Sequence, residues 1–174
     1  MNLYDYYSPK EKLIGYEQYE LVPDRALELA QAGKKLNQQQ LKNIASDAET
    51  SYYYAKHLGK RWPLGEPTLL KSPLYASYYA TDVLKGTWPE AEKIIATNGM
   101  ASWFYAQDVL GQPWPPGEAA ITKDALASLY YSRYVIRGEW PPGEAAIAAK
   151  PDIAKRYEED KRARQRARKF FVIK

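Results

Sequence analysis

Trp-Pro steps stand at Trp62-Pro63, Trp88-Pro89, Trp114-Pro115 and Trp140-Pro141, each 26 residues after the last, and the final two open an identical phrase, "WPPGEAAI". A fixed period of this length is the mark of stacked repeats, because a unit so small cannot bury its own apolar face alone. Other columns keep the same step without a gap. Glu66, Glu92, Glu118 and Glu144 follow each Trp by four residues, and Leu69, Ile95, Ile121 and Ile147 follow those. Leu58, Leu84, Leu110 and Ile136 precede each Trp, and a tyrosine column runs Tyr53, Tyr79, Tyr105, Tyr131, Tyr157.

Each column has a physical meaning. Ser46, Ser72, Asn98 and Asp124 share the period, and their side-chain oxygens suit helix N-caps. Pro73 then falls at a first helical position, where its missing N–H is harmless. Segments such as "PLYASYYATDVLKG" predict a three-turn helix ending at Gly86, with equivalents ending at Gly59, Gly111 and Gly138. Ala76, Tyr79, Ala80, Val83 and Leu84 recur at helical spacing and predict its buried stripe. Proline pushes the residue before it out of the α region, so each Trp predicts a hinge and each Pro opens a short second helix. The Glu then sits in that helix's first turn, where the helix dipole favours negative charge.

These spacings predict an all-α chain: a short α-solenoid of 26-residue helix–turn–helix repeats with caps at both ends, its handedness left open. One domain covers residues 1–174, divided into an N-terminal cap (1–23), helical repeats (24–150) and a basic C-terminal cap helix (151–174). "DRALELAQAG" supplies an older half-unit, in which Gly33 and Leu36 match Gly59 and Trp62, while Gln40 stands in the Glu column. Without cysteine there are no disulfides, no thiolate chemistry and no Cys-based zinc site. No apolar run approaches the roughly 20 residues that span a bilayer, and no signal-peptide core is present, so the expected setting is the cytoplasm without membrane attachment. The formal charge of +4 is concentrated at one end: Lys150 to Lys174 hold ten Lys/Arg against four Asp/Glu, or +6, leaving −2 for the rest.

The phrase "WPEAE" at 88–92, the tyrosine-rich helix and "DVLKG" before it resemble a tandem helical repeat of uncharacterised tailed-bacteriophage proteins. The resemblance covers roughly residues 46–150. It implies a viral origin and a role in the host cytoplasm, and it carries no reaction and no catalytic residue.

Several residues invite a functional reading. Tyr78, Phe104 and Tyr130 form a second aromatic column beside the first, with Tyr52 preceding them and Trp103 and Tyr134 alongside. Adjacent helical residues point about 100° apart, so one column belongs in the core and the other nearer the surface. Tyr52, Tyr78, Trp103, Phe104, Tyr130 and Tyr134 are therefore candidate contacts for a host protein partner, since rigid aromatics dominate binding hot spots. The competing reading packs them between helices, each hydroxyl finding a partner. The Glu column reads either as an acidic strip for a basic partner or as helix-capping carboxylates that accept from tyrosine hydroxyls. Lys161, Arg162, Arg164, Arg166, Arg168 and Lys169 are candidate phosphate contacts, giving nucleic-acid binding as an alternative; the competing reading is a solvated helix face. His57, the single histidine, aligns with Val83, Val109 and Val135 and reads as a core or rim residue rather than a catalytic or metal-binding one. No metal, cofactor or catalytic set is expected. The leading expectation is a non-enzymatic module that binds a host protein, for takeover or against a defence. A nucleotide sponge built from Tyr and Trp, a virion component and a homodimer formed by stacked ends are the further alternatives.

Overall fold

The computed structural model describes residues 30–172, with side chains through residue 167. The expected N-terminal cap (1–23), nearly all of the "DRALELAQAG" helix and the side chains of Arg168 and Lys169 lie outside the described residues. Ten helices follow in order among the described residues: α1 (Gln38–Ala45), α2 (Ala48–Leu58), α3 (Glu66–Leu69), α4 (Pro73–Tyr79), α5 (Pro89–Ile95), α6 (Gly99–Phe104), α7 (Pro115–Ile121), α8 (Ala125–Tyr130), α9 (Pro141–Ala148) and α10 (Pro151–Val172). Three π-helical segments, Ala80–Leu84, Tyr105–Leu110 and Tyr131–Ile136, prolong α4, α6 and α8. No strand occurs among the described residues. The longer helices α2, α4, α6, α8 and α10 stack in sequence, and each short helix between them packs back on the longer one before it. The chain is an all-α repeat fold.

The Trp-Pro hinge forms as expected at three of the four steps; at the first, Pro63 lies in a turn and the short helix α3 begins only at Glu66. Trp88, Trp114 and Trp140 sit at φ −129°, −128° and −131°, outside the helix, and the following proline opens α5, α7 and α9. Each ring folds back over its own turn, leaving no room for a side chain three residues on. A Cβ at Gly65, Gly117 or Gly143 would lie 2.6 Å from the ring of Trp62, Trp114 or Trp140. Opposite those glycines stand Ser51, Ser102 and Ser128, fully buried. Their hydroxyls donate to the carbonyls of Ile44, Ile95 and Ile121 at 3.0, 3.1 and 2.8 Å, closing the end of the preceding short helix. Leu69, Ile95, Ile121 and Ile147 fill the space between layers at 0–2% exposure. Full burial of such a side chain contributes about 1.5–3 kcal/mol.

The first unit departs from the period. The N-cap of α2 is Asp47, whose carboxylate accepts from Thr50 N at 2.9 Å, and not Ser46, which closes α1 instead. From Asp47 to Trp62 is one residue fewer than from Ser72 to Trp88, Asn98 to Trp114 or Asp124 to Trp140. The difference is the π segment. A π turn closes on the fifth residue rather than the fourth, so it absorbs one residue without moving the flanking turns. Helix α2 lacks that residue and stays α-helical to Leu58.

Helix ends also sit one residue from two of the expected glycines. The left-handed positions are Gly59, Lys85, Gly111 and Arg137, at φ 64°, 53°, 65° and 56°. Gly86 and Gly138 come one place later and donate to Ala80 O and Ser132 O at 3.1 Å. Lys85 and Arg137 therefore hold a conformation that costs a side chain about 1–2 kcal/mol.

Candidate functional site

Tyrosine hydroxyls tie each unit to the next. Tyr79 accepts the backbone N–H of Trp62 at 2.7 Å and donates to Glu66 at 3.0 Å. Tyr105 does the same with Trp88 (3.0 Å) and Glu92 (2.8 Å). Tyr131 uses Trp114 and Glu118, both at 2.8 Å, and Tyr157 uses Trp140 (3.1 Å) and Glu144 (3.0 Å). The three columns are one device. Proline leaves the Trp N–H outside any helix, the Tyr hydroxyl accepts from it, and the Glu carboxylate accepts the hydroxyl's own hydrogen bond. Burial pushes the hydroxyls of Tyr79 and Tyr105 up to about 12; the Trp N–H opposes this and the Glu adds to it. Tyr131 and Tyr157 are raised in the same sense, also chiefly by burial. The Glu column thus accepts from tyrosines rather than forming a free acidic strip. Three of the four latch rings also pack on their own unit's tryptophan: Tyr79 on Trp88, Tyr105 on Trp114 and Tyr131 on Trp140, with centroids 4.9–5.0 Å apart.

In the first unit Tyr54, and not Tyr53, takes this place. Its ring lies 4.7 Å from Trp62, one residue nearer in sequence because α2 has no π turn. The same slip moves Tyr52 from the Tyr78 column into the Trp103 column. It also moves His57 out of the valine column, and His57 is exposed where Val83 is buried.

The second aromatic column forms a continuous band across the stack. Tyr52 meets Tyr75 at 5.9 Å and Tyr78 at 5.8 Å, and Tyr78 meets Phe104 at 5.3 Å. Phe104 meets Trp103 at 4.3 Å, which meets Tyr130 at 4.7 Å and Tyr134 at 6.2 Å. The six expected partner contacts are therefore brought together, but to different depths. Tyr52, Trp103 and Phe104 are buried at 4, 6 and 7% exposure, while Tyr78, Tyr130 and Tyr134 are half-buried. Tyr75 belongs to the band too, a place no recurring column marks because Ala101 and Ala127 hold it in later units. Arg156 lies over the Tyr130 ring at 5.8 Å, closing the band at its C-terminal end.

Polar links join neighbouring longer helices beside the band. Lys56 reaches Asp82 at 2.8 Å, and the Tyr52 hydroxyl donates to the same carboxylate. Arg133 grips Asp160 with two bonds, 2.7 and 3.1 Å, both side chains over nine-tenths buried. Burial opposes the charge on Arg133, and the bonds to Asp160 outweigh it, holding the guanidinium above its ordinary range. Counted from each N-cap, Lys56 and Arg133 occupy one position and Asp82 and Asp160 the next; only a count that allows for the short first unit reveals the match.

The basic helix is less free than its composition suggests. Lys161 lies 3.6–3.8 Å from Glu139, Glu144 and Glu158 and over the Tyr157 ring at 5.4 Å. Arg164 is half-buried, with Nη2 enclosed and without a hydrogen-bond partner among the described residues. Arg162 and Arg166 are exposed. Among the described residues no helix is long and apolar enough to cross a membrane, and no group of three or more His, Asp or Glu could hold a metal ion. Comparison with protein families, curated proteins and solved structures finds no match to this chain.

Proposed function

We propose that this chain is a non-enzymatic binding module whose aromatic band docks on a protein of the host cell, the setting to which its resemblance to tailed-phage repeats points. The observation that carries the reading is the band itself. Half-buried Tyr75, Tyr78, Tyr130 and Tyr134 lie along a stack held unit by unit through buried Trp N–H to Tyr hydrogen bonds. Aromatic groups already fixed in place lose little freedom on binding, so their contact area converts efficiently into affinity. The test is capture from nuclease-treated host lysate, run in parallel with a Tyr78→Ser/Tyr134→Ser variant. One stoichiometric partner held by the native chain and lost by the variant is expected; equal retention by both would remove the band from the function.

Exposed Arg162 and Arg166 favour nucleic-acid binding as the second reading. It calls for retained nucleic acid that is released by salt, and for loss of binding in an Arg162→Ser/Arg166→Ser variant.

A further inference from the structure

The left-handed residues that close the longer helices alternate along the stack: Gly59, Lys85, Gly111, Arg137. Glycine adopts this backbone without strain, whereas Lys85 and Arg137 hold it at φ 53° and 56°. Both are exposed, and each is followed by a glycine, Gly86 or Gly138, whose own φ is not positive. The helix dipole favours a cation at this end, but the neighbouring position would serve it as well. The first unit shows this, with Gly59 in the left-handed place and exposed Lys60 after it. Strain kept at an exposed position points to a use for the side chain there. The same edge carries more positive charge. Lys161 lies 3.6 Å from Glu139 in the last hinge, so α10 reaches the hinge edge there and carries exposed Arg162 and Arg166 past it. Glu66, Asp82 and Glu139 are each countered by Arg61, Lys56 or Lys161. Exposed Lys60, Lys85, Arg137, Arg162 and Arg166 outweigh the exposed acids Glu90 and Asp108.

We propose that Lys85 and Arg137 are phosphate contacts, and that the backbone of a nucleic acid lies along the hinge edge from α10 toward the first unit. The inference rests on the nucleic-acid reading of α10 and extends its footprint from one helix to the stack; it does not depend on the aromatic band. Packed layers of roughly 8–10 Å put Lys85 and Arg137, two units apart, on the order of 16–20 Å from each other. That span matches about five or six phosphates along one strand of a duplex. Contacts of this kind fix the position of the backbone and read no sequence.

The probe is a fluorescein-labelled DNA duplex of mixed sequence, titrated with the full chain over a series of salt concentrations. Lys85→Gly and Arg137→Gly each relieve strain, so each should raise the melting temperature by about 1–4 °C, and neither puts folding at risk. Affinity should nonetheless fall in both. The slope of log affinity against log salt should shrink by about 1 in each and by about 2 in the double variant. Stability and binding thus move in opposite directions, which a merely structural role would not produce. Lys71→Ser/Lys123→Ser removes the same charge from exposed positions at the other ends of the same two helices, and should leave the slope unchanged. Binding that is lost in Arg162→Ser/Arg166→Ser but keeps its slope in Lys85→Gly/Arg137→Gly would overturn the extended footprint and leave the reading of α10 standing. A native chain that does not bind the duplex would overturn both. Polyglutamate that displaces the duplex at equal charge concentration would overturn the assignment to phosphate.

Discussion

Removing a single oxygen atom separates what a latch tyrosine's ring does from what its hydroxyl does. Tyr105→Phe keeps the ring against Trp114 but leaves the buried Trp88 N–H without its acceptor and Glu92 without its donor. Stranding a buried polar group costs about 1–3 kcal/mol, so denaturant unfolding of this variant should show a loss near the top of that range. Ordinary surface tyrosines replaced by Phe should show almost none. The same hydroxyls set the alkaline limit. Their folded pKa, about 12 for Tyr79 and Tyr105, lies above the unfolded value near 10. Above pH 10 the unfolded chain gives up protons that the folded chain keeps, so stability is whole below pH 10 and falls as pH rises toward 12. Melting temperatures measured across pH 8–12 should follow that course, and the decline should shrink in a chain with Phe at Tyr79, Tyr105 and Tyr131. The sequence showed that Tyr, Trp and Glu recur together. Tyrosine hydroxyls bonded to the Glu column were one of its two readings, but the pairing and the share of the Trp N–H in it were not legible, because the partners lie 17 and 13 residues apart, a separation that no helical or strand period brings together.

At the scale of the element, the π segment accounts for the one-residue offset between the first unit and the later ones. A constant 26-residue step aligns Tyr53 with Tyr79, yet the helix caps align Tyr54 with it, and the inserted residue reconciles the two. Deleting Gln107 from the π segment after α6 should convert that helix into the plain form seen in α2. The thermal unfolding loss should be small beside that from deleting Ser102, which would shift every contact on the α-helical part of the same element. Helix ends give a second check. Lys85→Gly and Arg137→Gly relieve left-handed backbone at a C-terminus and should each raise stability by about 0.5–1 kcal/mol in chemical denaturation. Helix α10 docks by its latch and by the Arg133–Asp160 pair. Breaking the pair with Asp160→Leu alone should cost about 3–5 kcal/mol by stranding a buried guanidinium, while Arg133→Met/Asp160→Leu should recover most of it. Composition had marked α10 as a basic surface, but half of its meaning is internal: Tyr157, Asp160 and Lys161 all face inward partners.

For the whole molecule, identical joints mean that stability is spread along the stack, with each unit resting on its neighbours. The all-α repeat fold could be read from spacing because Trp-Pro breaks helices by local sterics, which need no knowledge of tertiary structure. The aromatic band was only partly foreseen, since Tyr75 occurs once and periodicity sees only what recurs. The measurement that bears most directly on this account is thermal unfolding, by circular dichroism, of a chain lacking residues 89–114, beside one lacking residues 90–114. In the first, Trp88 runs straight into Pro115 and Glu118, so Tyr131 can latch to Trp88 as it did to Trp114. That chain should fold cooperatively with native helicity per residue and a modestly lower melting temperature. The second carries one surplus residue in the hinge and should lose cooperativity. Equal behaviour of the two, or failure of the in-register deletion to fold, would contradict the latch as the organising contact of this protein.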